Sequence, residues 1–433
     1  MSEFEMPDFQ REDASKLQSG DFPDPWTTPI EEIDVSDSRL YQQDAWRPYF
    51  ERLRREDPVH WTAESPFGPY WSMTRFDDIA YVERNHGIFS SHPTIAIGDS
   101  PTGEYIENFI AMDPPKHDVQ RKTVQGVVAP RNLEKLEPVI RAHAAEILDG
   151  LPDDGVEFDW VDRVSIELTT RMLATLFDFP FEDRRKLTYW SDLSIGSPES
   201  TGADEGPAPE EVMAGLQDMA NTFMGLWAER AAADPSGRND LITMLAHGAD
   251  TRDMITRPLE FLGNIMLLIV GGNDTTRNSI SGGVLALNQF PSEYAKLRND
   301  PSVIPNMVSE IIRWQTPVLH MRRTLKEDHE YQGRQMKAGD KVVMWYLSGN
   351  RDEQAHEDAD RLIIDRPDAR HHVSFGFGVH RCMGNRLAEL QLRIVWEEIM
   401  KRFHRIEVTG PETRLKSNFI RGIRSLPVRL HRH

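Results

Sequence analysis

The run from Pro258 to Gln289 keeps one helical pattern without a break, about 32 residues and so close to 48 Å at 1.5 Å per residue. Pro258 suits a first helical turn and Pro291 stands just past the end, as the positional preferences of proline predict. A helix that long crosses a whole domain, so the chain has to be assembled around it. Its middle is unusual: Gly271-Gly272-Asn273-Asp274-Thr275-Thr276 interrupts an apolar run with paired glycines and clustered polar side chains. Each helical glycine costs about 1 kcal/mol against alanine, and space for a ligand is the natural offset. Asp274 and Thr275 can then relay protons to a bound oxygen species, the acid supplying protons and the hydroxyl holding a water or peroxide. The competing reading is a kinked helix whose hydroxyls bond back to the preceding turn.

Helical periodicity dominates from residue 133 onward, over 133–149, 161–177, 182–194, 210–232, 239–247, 258–290, 303–314 and 385–403. Val59-His60-Trp61 and Tyr70-Trp71-Ser72-Met73 flank the turn-rich Ser65-Pro66-Phe67-Gly68-Pro69 and predict a hairpin, with a short helix over 76–84 after it. Strands are expected at Lys341 to Leu347 and Ser425 to His431. The expected fold is therefore mainly α with a smaller β part, without repeats or heptads. Residues 1–37, broken by Pro7, Pro23, Pro25 and Pro29, read as a mobile leader, and 38–433 as one domain. Gly196 to Pro209, rich in Gly, Ser, Pro, Ala and acids, reads as a surface loop, either a lid or a tolerated insertion.

A single cysteine rules out intramolecular disulfides and fits a reducing cytoplasm. The polar N-terminus has no apolar signal core, and the apolar stretch Phe261 to Val270 is too short for a bilayer, which takes about 20 residues. No membrane association is expected. A net charge of −20 weighs against general nucleic-acid affinity, which needs a basic face, yet leaves room for a local basic patch.

That cysteine, Cys382, lies in Phe375-Gly376-Phe377-Gly378-Val379-His380-Arg381-Cys382-Met383-Gly384, directly before an amphipathic helical pattern. A helix N-terminus offers unpaired N–H groups and the positive end of the dipole, which favour a thiolate. His380 and Arg381 add to this, and Gly376, Gly378 and Gly384 let the backbone press close to something flat and bulky. A merely buried cysteine would explain neither the glycines nor the charges. A cysteine nucleophile would need an oriented histidine and asparagine that this sequence does not single out.

His117 and Arg121 are one helical turn apart after Asp113-Pro114-Pro115, and Arg323 and His380 offer two more donors. Each alone reads as a solvated charge; together with a thiolate they point to a cofactor bearing carboxylates. Glu310 and Arg313 are also one turn apart, a spacing shared by Glu51 with Arg54 and Glu182 with Arg185. Apolar surroundings and the stop at Thr316-Pro317 set the 310 pair apart.

With these marks in order, the chain resembles the cytochrome P-450 superfamily of haem-thiolate monooxygenases from about Leu40 to the C-terminus. The resemblance implies haem b (iron protoporphyrin IX) between the long helix and the cysteine-bearing helix, with Cys382 as axial iron ligand and Phe375 beside the sulfur. It further implies that His117, Arg121, Arg323 and His380 hold the propionates, with Arg322 competing for the place of Arg323. Gly271 and Gly384 would give the cofactor room, and Glu310, Arg313 and Arg366 would form a buried charged triad, Arg366 coming from Asp365-Arg366-Pro367. A thiolate opposite dioxygen favours O–O cleavage.

Gly271 to Ser279, Arg313 to Pro317 and His320 to Thr324 resemble the soluble bacterial alkane hydroxylases, which oxidise the terminal methyl of medium-chain alkanes and related alcohols or fatty acids. Steroid side-chain hydroxylases share a similar Asn-acid-Thr-Thr-Arg-Asn segment, so a steroid or terpenoid hydroxylase is the alternative, and a haem sensor or carrier without turnover is the reading from another class. Met383 is a departure, where Leu or Ala is more usual. Terminal attack requires geometry to override the weaker secondary C–H bond. Ile95, Ile97, Leu267, Val270, Leu319, Met321 and Phe419 are the candidates to line a narrow channel, each with ordinary core packing as the competing reading. The chain has neither a Gly-rich dinucleotide fingerprint nor a flavin domain, which implies a separate iron–sulfur ferredoxin with its NAD(P)H-dependent reductase. Arg121, Lys122, Arg131 and Arg386 are candidates for its basic docking patch. Intact Asp274-Thr275 weighs against a peroxide-driven enzyme.

Overall fold

The long pattern is one helix, Pro258–Gln289, in a computed structural model that describes residues 22–100, 103, 105–195 and 207–433. It ends where Phe290 leaves helical geometry and Pro291 opens the next helix, Pro291–Asn299. In its second half almost every side chain is buried, Ile280, Val284, Leu285 and Leu287 among them. The small residues there let other helices close in. A Cβ on Gly283 would lie 3.0 Å from Ile311 and 3.1 Å from the Trp396 ring, so helices Ile304–Gln315 and Asn385–Arg402 pack directly on this stretch. Trp314 and Trp396, each 0–1% exposed, complete a core in which a fully buried large apolar side chain contributes roughly 1.5–3 kcal/mol.

The expected helices are present as Pro130–Asp149, Arg185–Ile195, Pro209–Ala232 and Leu241–His247. The 161–177 helix starts with a π-helical stretch, Val161–Ile166, before Glu167–Phe177. Among the described residues no helix is long and apolar enough to cross a membrane. The surface loop expected at 196–209 lies almost wholly outside the described residues.

The β part centres on a five-stranded sheet in the order Val59–Thr62, Tyr70–Met73, Lys341–Met344, Met321–Leu325, Phe89–Ser90. The hairpin forms as expected, with Trp61 opposite Trp71, and its turn is closed by Ser65 Oγ donating to the Gly68 carbonyl (2.6 Å). Only the Tyr70–Met73 and Lys341–Met344 pair is parallel. Pro427–Arg432 forms the centre of a separate three-stranded sheet with Glu157–Asp159 and Phe403–Val408.

Two expectations need correction. The strand from Lys341 stops at Met344, because Tyr346–Gly349 turns into a short helix; there Tyr346 reaches Glu83 and Ser348 Oγ donates to the Thr74 carbonyl (2.7 Å). The leader expected over 1–37 is too long. Ile33 and Val35, 1% and 0% exposed, pack in one apolar cluster with Leu40, Phe50 and Trp345, and Tyr41 donates to the Val35 carbonyl (2.6 Å).

Candidate active site

The cysteine loop is shaped from beneath by a residue that the sequence reading missed. Glu83, at the end of helix Phe76–Arg84, is 3% exposed. Its carboxylate accepts from the Phe377 N–H (2.8 Å) and the Tyr346 hydroxyl, and lies 3.5 Å from Arg323. Gly378 has a φ of +63° and a Cβ there would fall 2.3 Å from the Glu83 carbonyl oxygen, so only glycine fits. Gly376, at φ +64°, faces the Glu83 carboxylate in the same way. Residues Phe76, Ile79, Ala80 and Glu83 fall on one helical stripe, and an acid on an otherwise apolar stripe is the signal that could have found it.

The loop returns on itself where the Cys382 N–H donates to the Phe375 carbonyl (2.7 Å), and the Phe375 ring packs on His372 with centroids 5.3 Å apart. Protein atoms surround Cys382 densely, yet it retains accessible surface. Burial pushes its thiol up, and this outweighs the Gly384 and Asn385 N–H groups and Arg121 and Arg381, which pull it down. The same donors are the ones that would stabilise negative charge on this sulfur when a metal ion is bound to it. Met383 is partly buried against the main core, a packing role.

The four expected carboxylate donors converge. The His117 and His380 rings are 4.3 Å apart, and Arg121 donates to the Arg381 carbonyl beside the cysteine. Both histidines are buried. His117 Nε2 and both His380 ring nitrogens lack a hydrogen-bond partner. Burial first, then Arg323, His117 and Arg121, push His380 down to about 2; burial likewise lowers His117, against the pull of Asp118. Neighbours on the strand Met321–Leu325 point to opposite faces, which settles the choice between its arginines. Arg322 is committed to Asp99 (2.6 Å), and Arg323 belongs to the His380 side.

Behind the loop, the Glu310 triad closes completely. Arg313 donates to both Glu310 oxygens (2.7 Å each) and Arg366 Nε to the same pair (3.1 and 3.2 Å). The spare N–H groups of Arg313 go to the carbonyls of Asn350, Ala359 and Arg361. Asn350 passes this order on, accepting from the Val373 N–H (2.8 Å) and donating to Ser374 Oγ (2.8 Å) just before Phe375.

On the long helix, Gly271 is exposed and a Cβ there would meet nothing within 4 Å; the same holds for Gly384. Thr275, one turn from Gly271, keeps partial exposure and donates to the Gly271 carbonyl (3.0 Å), the back-bond anticipated as the competing reading. Asp274 is fully buried and engaged elsewhere, with Ser191 Oγ and with Arg277, which in turn reaches Asp192 (3.1 Å). Burial, more than any neighbour, pushes its carboxyl up from the usual carboxylate range, and Arg277 counters it. The Ser191, Arg277 and Asp192 partners were not visible in the sequence.

Of the expected channel residues, Ile97 and Leu319 are 0% exposed and belong to the apolar cluster of Trp345. A side chain without accessible surface lines no open cavity, so these two are core. Ile95, Leu267, Val270, Met321 and Phe419 are partly exposed. The segments carrying three of them adjoin: Leu319 N–H donates to the Phe419 carbonyl (2.8 Å) and Arg322 N–H to the Ile95 carbonyl (2.8 Å).

The donor set fits a flat cofactor with acidic edges: three buried imidazole nitrogens without partners, two guanidiniums beside them, an accessible thiol and two glycines opening onto free space. The class is thus a protein that holds such a group on sulfur. The Cytochrome P450 family model matches residues 211–428. A linalool 8-monooxygenase of Pseudomonas putida is 36% identical over 410 residues, covering 92% of this chain and 99% of that protein. A methyl-branched lipid omega-hydroxylase of Mycobacterium bovis is 31% identical, covering 93% and 96%. The solved structure of cytochrome P450-153 from Novosphingobium aromaticivorans is 44% identical with a TM-score of 0.84, covering 94% of this chain and 100% of that one. The chain belongs to the cytochrome P450 family of haem-thiolate monooxygenases.

Proposed function

We propose that the chain hydroxylates the terminal methyl of a medium-chain alkane, alcohol or fatty acid, using haem b held by Cys382. The observation that carries this reading is the accessible stripe of the long helix, Leu267, Val270, Gly271 and Thr275, apolar except for one hydroxyl. Two relatives support attack at a chain end, one by the word omega in its name and one by the position 8 in linalool. The linalool relative also supports a terpenoid as the second reading.

When bound, the haem supplies dioxygen activation and a reactive oxidant at its iron. The chain does the rest. His117, Arg121, Arg323 and His380 would hold the propionates, whose charge would offset the burial, and then the neighbouring cations, that push His380 toward its neutral form. The Gly384 and Asn385 N–H groups and Arg121 stabilise negative charge on Cys382 Sγ. Leu267, Val270, Met321 and Phe419 exclude water and align a methyl group, so that position decides the outcome over bond strength. Thr275 Oγ1 releases the Gly271 carbonyl and holds a proton toward the accessible face, and Asp274 resupplies it when its carboxylate exchanges Arg277 for solvent.

Electrons come from an iron–sulfur ferredoxin served by an NAD(P)H reductase. Lys122, Arg131 and Arg386 are exposed, and Arg386 borders a surface groove of about 330 Å³ that Pro130, Leu133, Pro305 and Arg370 also line. Arg121, assigned to this patch in the sequence reading, is partly buried and belongs to the cofactor side.

Titration of the ferric protein with n-alkanes, fatty acids, a terpene and a steroid, followed at the Soret band, tests the reading. Low-to-high-spin shifts strongest for one linear chain length are expected; shifts confined to the steroid or terpene would overturn the linear-chain assignment.

A further inference from the structure

The described residues hold one further group of ligand-type side chains, beside the Glu310 brace and without a part in the functions above. His356, Asp368 and His371 each place a donor atom within 4.8 Å of the others. His356 lies in the irregular segment after Asn350, and Asp368 and His371 share the turn in which the His371 N–H donates to the Asp368 carbonyl (2.7 Å). That turn sets both side chains on one side, with His371 Nδ1 4.0 Å from Asp368 Oδ2. Phe76 forms the apolar floor, its ring 4.3 Å from His371 and 5.8 Å from His356.

The second observation is His356 itself. It is 2% exposed, and neither ring nitrogen has a hydrogen-bond partner. Buried polar groups are nearly always satisfied, and an imidazole with both nitrogens idle calls for a partner. The two groups nearest to supplying one are Asp368 and His371, whose side chains are about half exposed, 53% and 50%, and free to swing.

We propose that His356, Asp368 and His371 bind a zinc ion, with water in the fourth position. Two imidazoles and one carboxylate are the borderline nitrogen and oxygen set that Zn²⁺ takes in open tetrahedral sites, at about 2.0–2.2 Å. Ca²⁺ and Mg²⁺ prefer oxygen donors alone. Ligands of one tetrahedral ion stand roughly 3.3 Å apart at such bond lengths, so the two mobile side chains close on the fixed His356 by rotation. Arg313 and Arg366 are near enough to act on His356 and oppose a cation; the Asp368 carboxylate offsets them in part. A bound ion ties the 350s segment to the turn that leads through Val373 and Ser374 into the cysteine loop, next to Arg370 on the groove rim.

The test uses the haem-loaded full chain, stripped with a chelator, desalted, and titrated with ZnCl₂ by calorimetry, with zinc and iron counted by mass spectrometry. One zinc per haem is expected, with affinity in the micromolar range or tighter. His371→Ala and Asp368→Asn, both on exposed side chains, should each weaken binding at least tenfold while the carbon monoxide difference band stays intact. His404 and His433, whose rings are 6.1 Å apart, are the competing site, and His404→Ala with His433→Ala should leave binding unchanged. The proposal is overturned by absence of saturable uptake, by loss of binding only in that double variant, or by equal competition from Mg²⁺.

Discussion

Two clusters of charge flank the cysteine loop and differ in how they are satisfied. At Glu310, Arg313 and Arg366 every guanidinium is matched by a carboxylate or a backbone carbonyl. At His117, Arg121, Arg323 and His380 three imidazole nitrogens are idle, and the counter-charges are partial, Asp118 2.7 Å from His117 Nδ1 and Glu83 3.5 Å from Arg323. The first cluster is complete within the chain and acts as a brace. The second, the receptor, keeps donors open for an anion from outside, as the proposed propionate-holding role requires. Burial alone does not tell them apart, since His117, Arg323 and His380 are as enclosed as much of the first cluster; the count of satisfied donors does.

The comparison breaks most visibly at Arg313. Arg313→Ala leaves Glu310 half-paired in the core, a loss of about 3–5 kcal/mol out of a usual total of about 5–15. Urea unfolding should show a greatly lowered midpoint, or the variant should fail to accumulate as haem-loaded protein.

On the receptor side, Arg323→Leu removes a charge-assisted bond of about 1.5–3 kcal/mol, so haem should pass to a scavenging apoglobin roughly ten- to a hundredfold faster. Its urea midpoint should move less than that of Arg313→Ala. An equal shift in both would erase the distinction between brace and receptor.

A buried histidine outside both clusters sharpens the contrast. The Asn418 carbonyl lies 2.8 Å from His320 Nδ1, and the Ile97 N–H donates to Nε2 (3.2 Å), so the ring is held neutral, and burial pushes it down to about 4. The unfolded chain takes up this proton near pH 6.5. Between these values the unfolded state binds more protons, and stability falls as the pH drops, by at most about 1.4 kcal/mol per pH unit for this group. His320→Asn should flatten that part of the pH–stability curve whether or not haem is bound, whereas the contribution of His380 should depend on haem.

The smallest effect is expected at Gly271→Ala. With nothing within 4 Å of the new methyl, the helix gains up to about 1 kcal/mol. The thermal midpoint should rise slightly while substrate-induced spin shifts weaken.

What could be read from residues alone follows from range. The long helix, the Glu310 and Arg313 pairing and the glycine-rich cysteine loop are local patterns, and each appears where it was expected. Glu83 reaches Phe377 across 294 residues and Arg366 reaches Glu310 across 56. Arg366 could be placed by resemblance; Glu83 could not. Ile97 and Leu319 show the converse failure, because an apolar residue reads the same whether it lines a channel or fills a core. The leader was overextended since prolines mask the short apolar run Ile33 to Val35, whose burial is set by Trp345, some 310 residues away.

Arg322 and Arg323 sit side by side on one strand but serve opposite faces. Asp99 ties Arg322 and Lys341 (2.6 Å each) to the loop that carries Ile95, while Arg323 faces Glu83 and the His380 side. The strand is thus a shared beam: moving it would disturb the Asp99 contacts on one face and the Glu83 contact on the other at the same moment. The catch at Asp99 is made of charges on a half-exposed carboxylate, so the hold of the strands on that loop slackens as salt rises in the surrounding water.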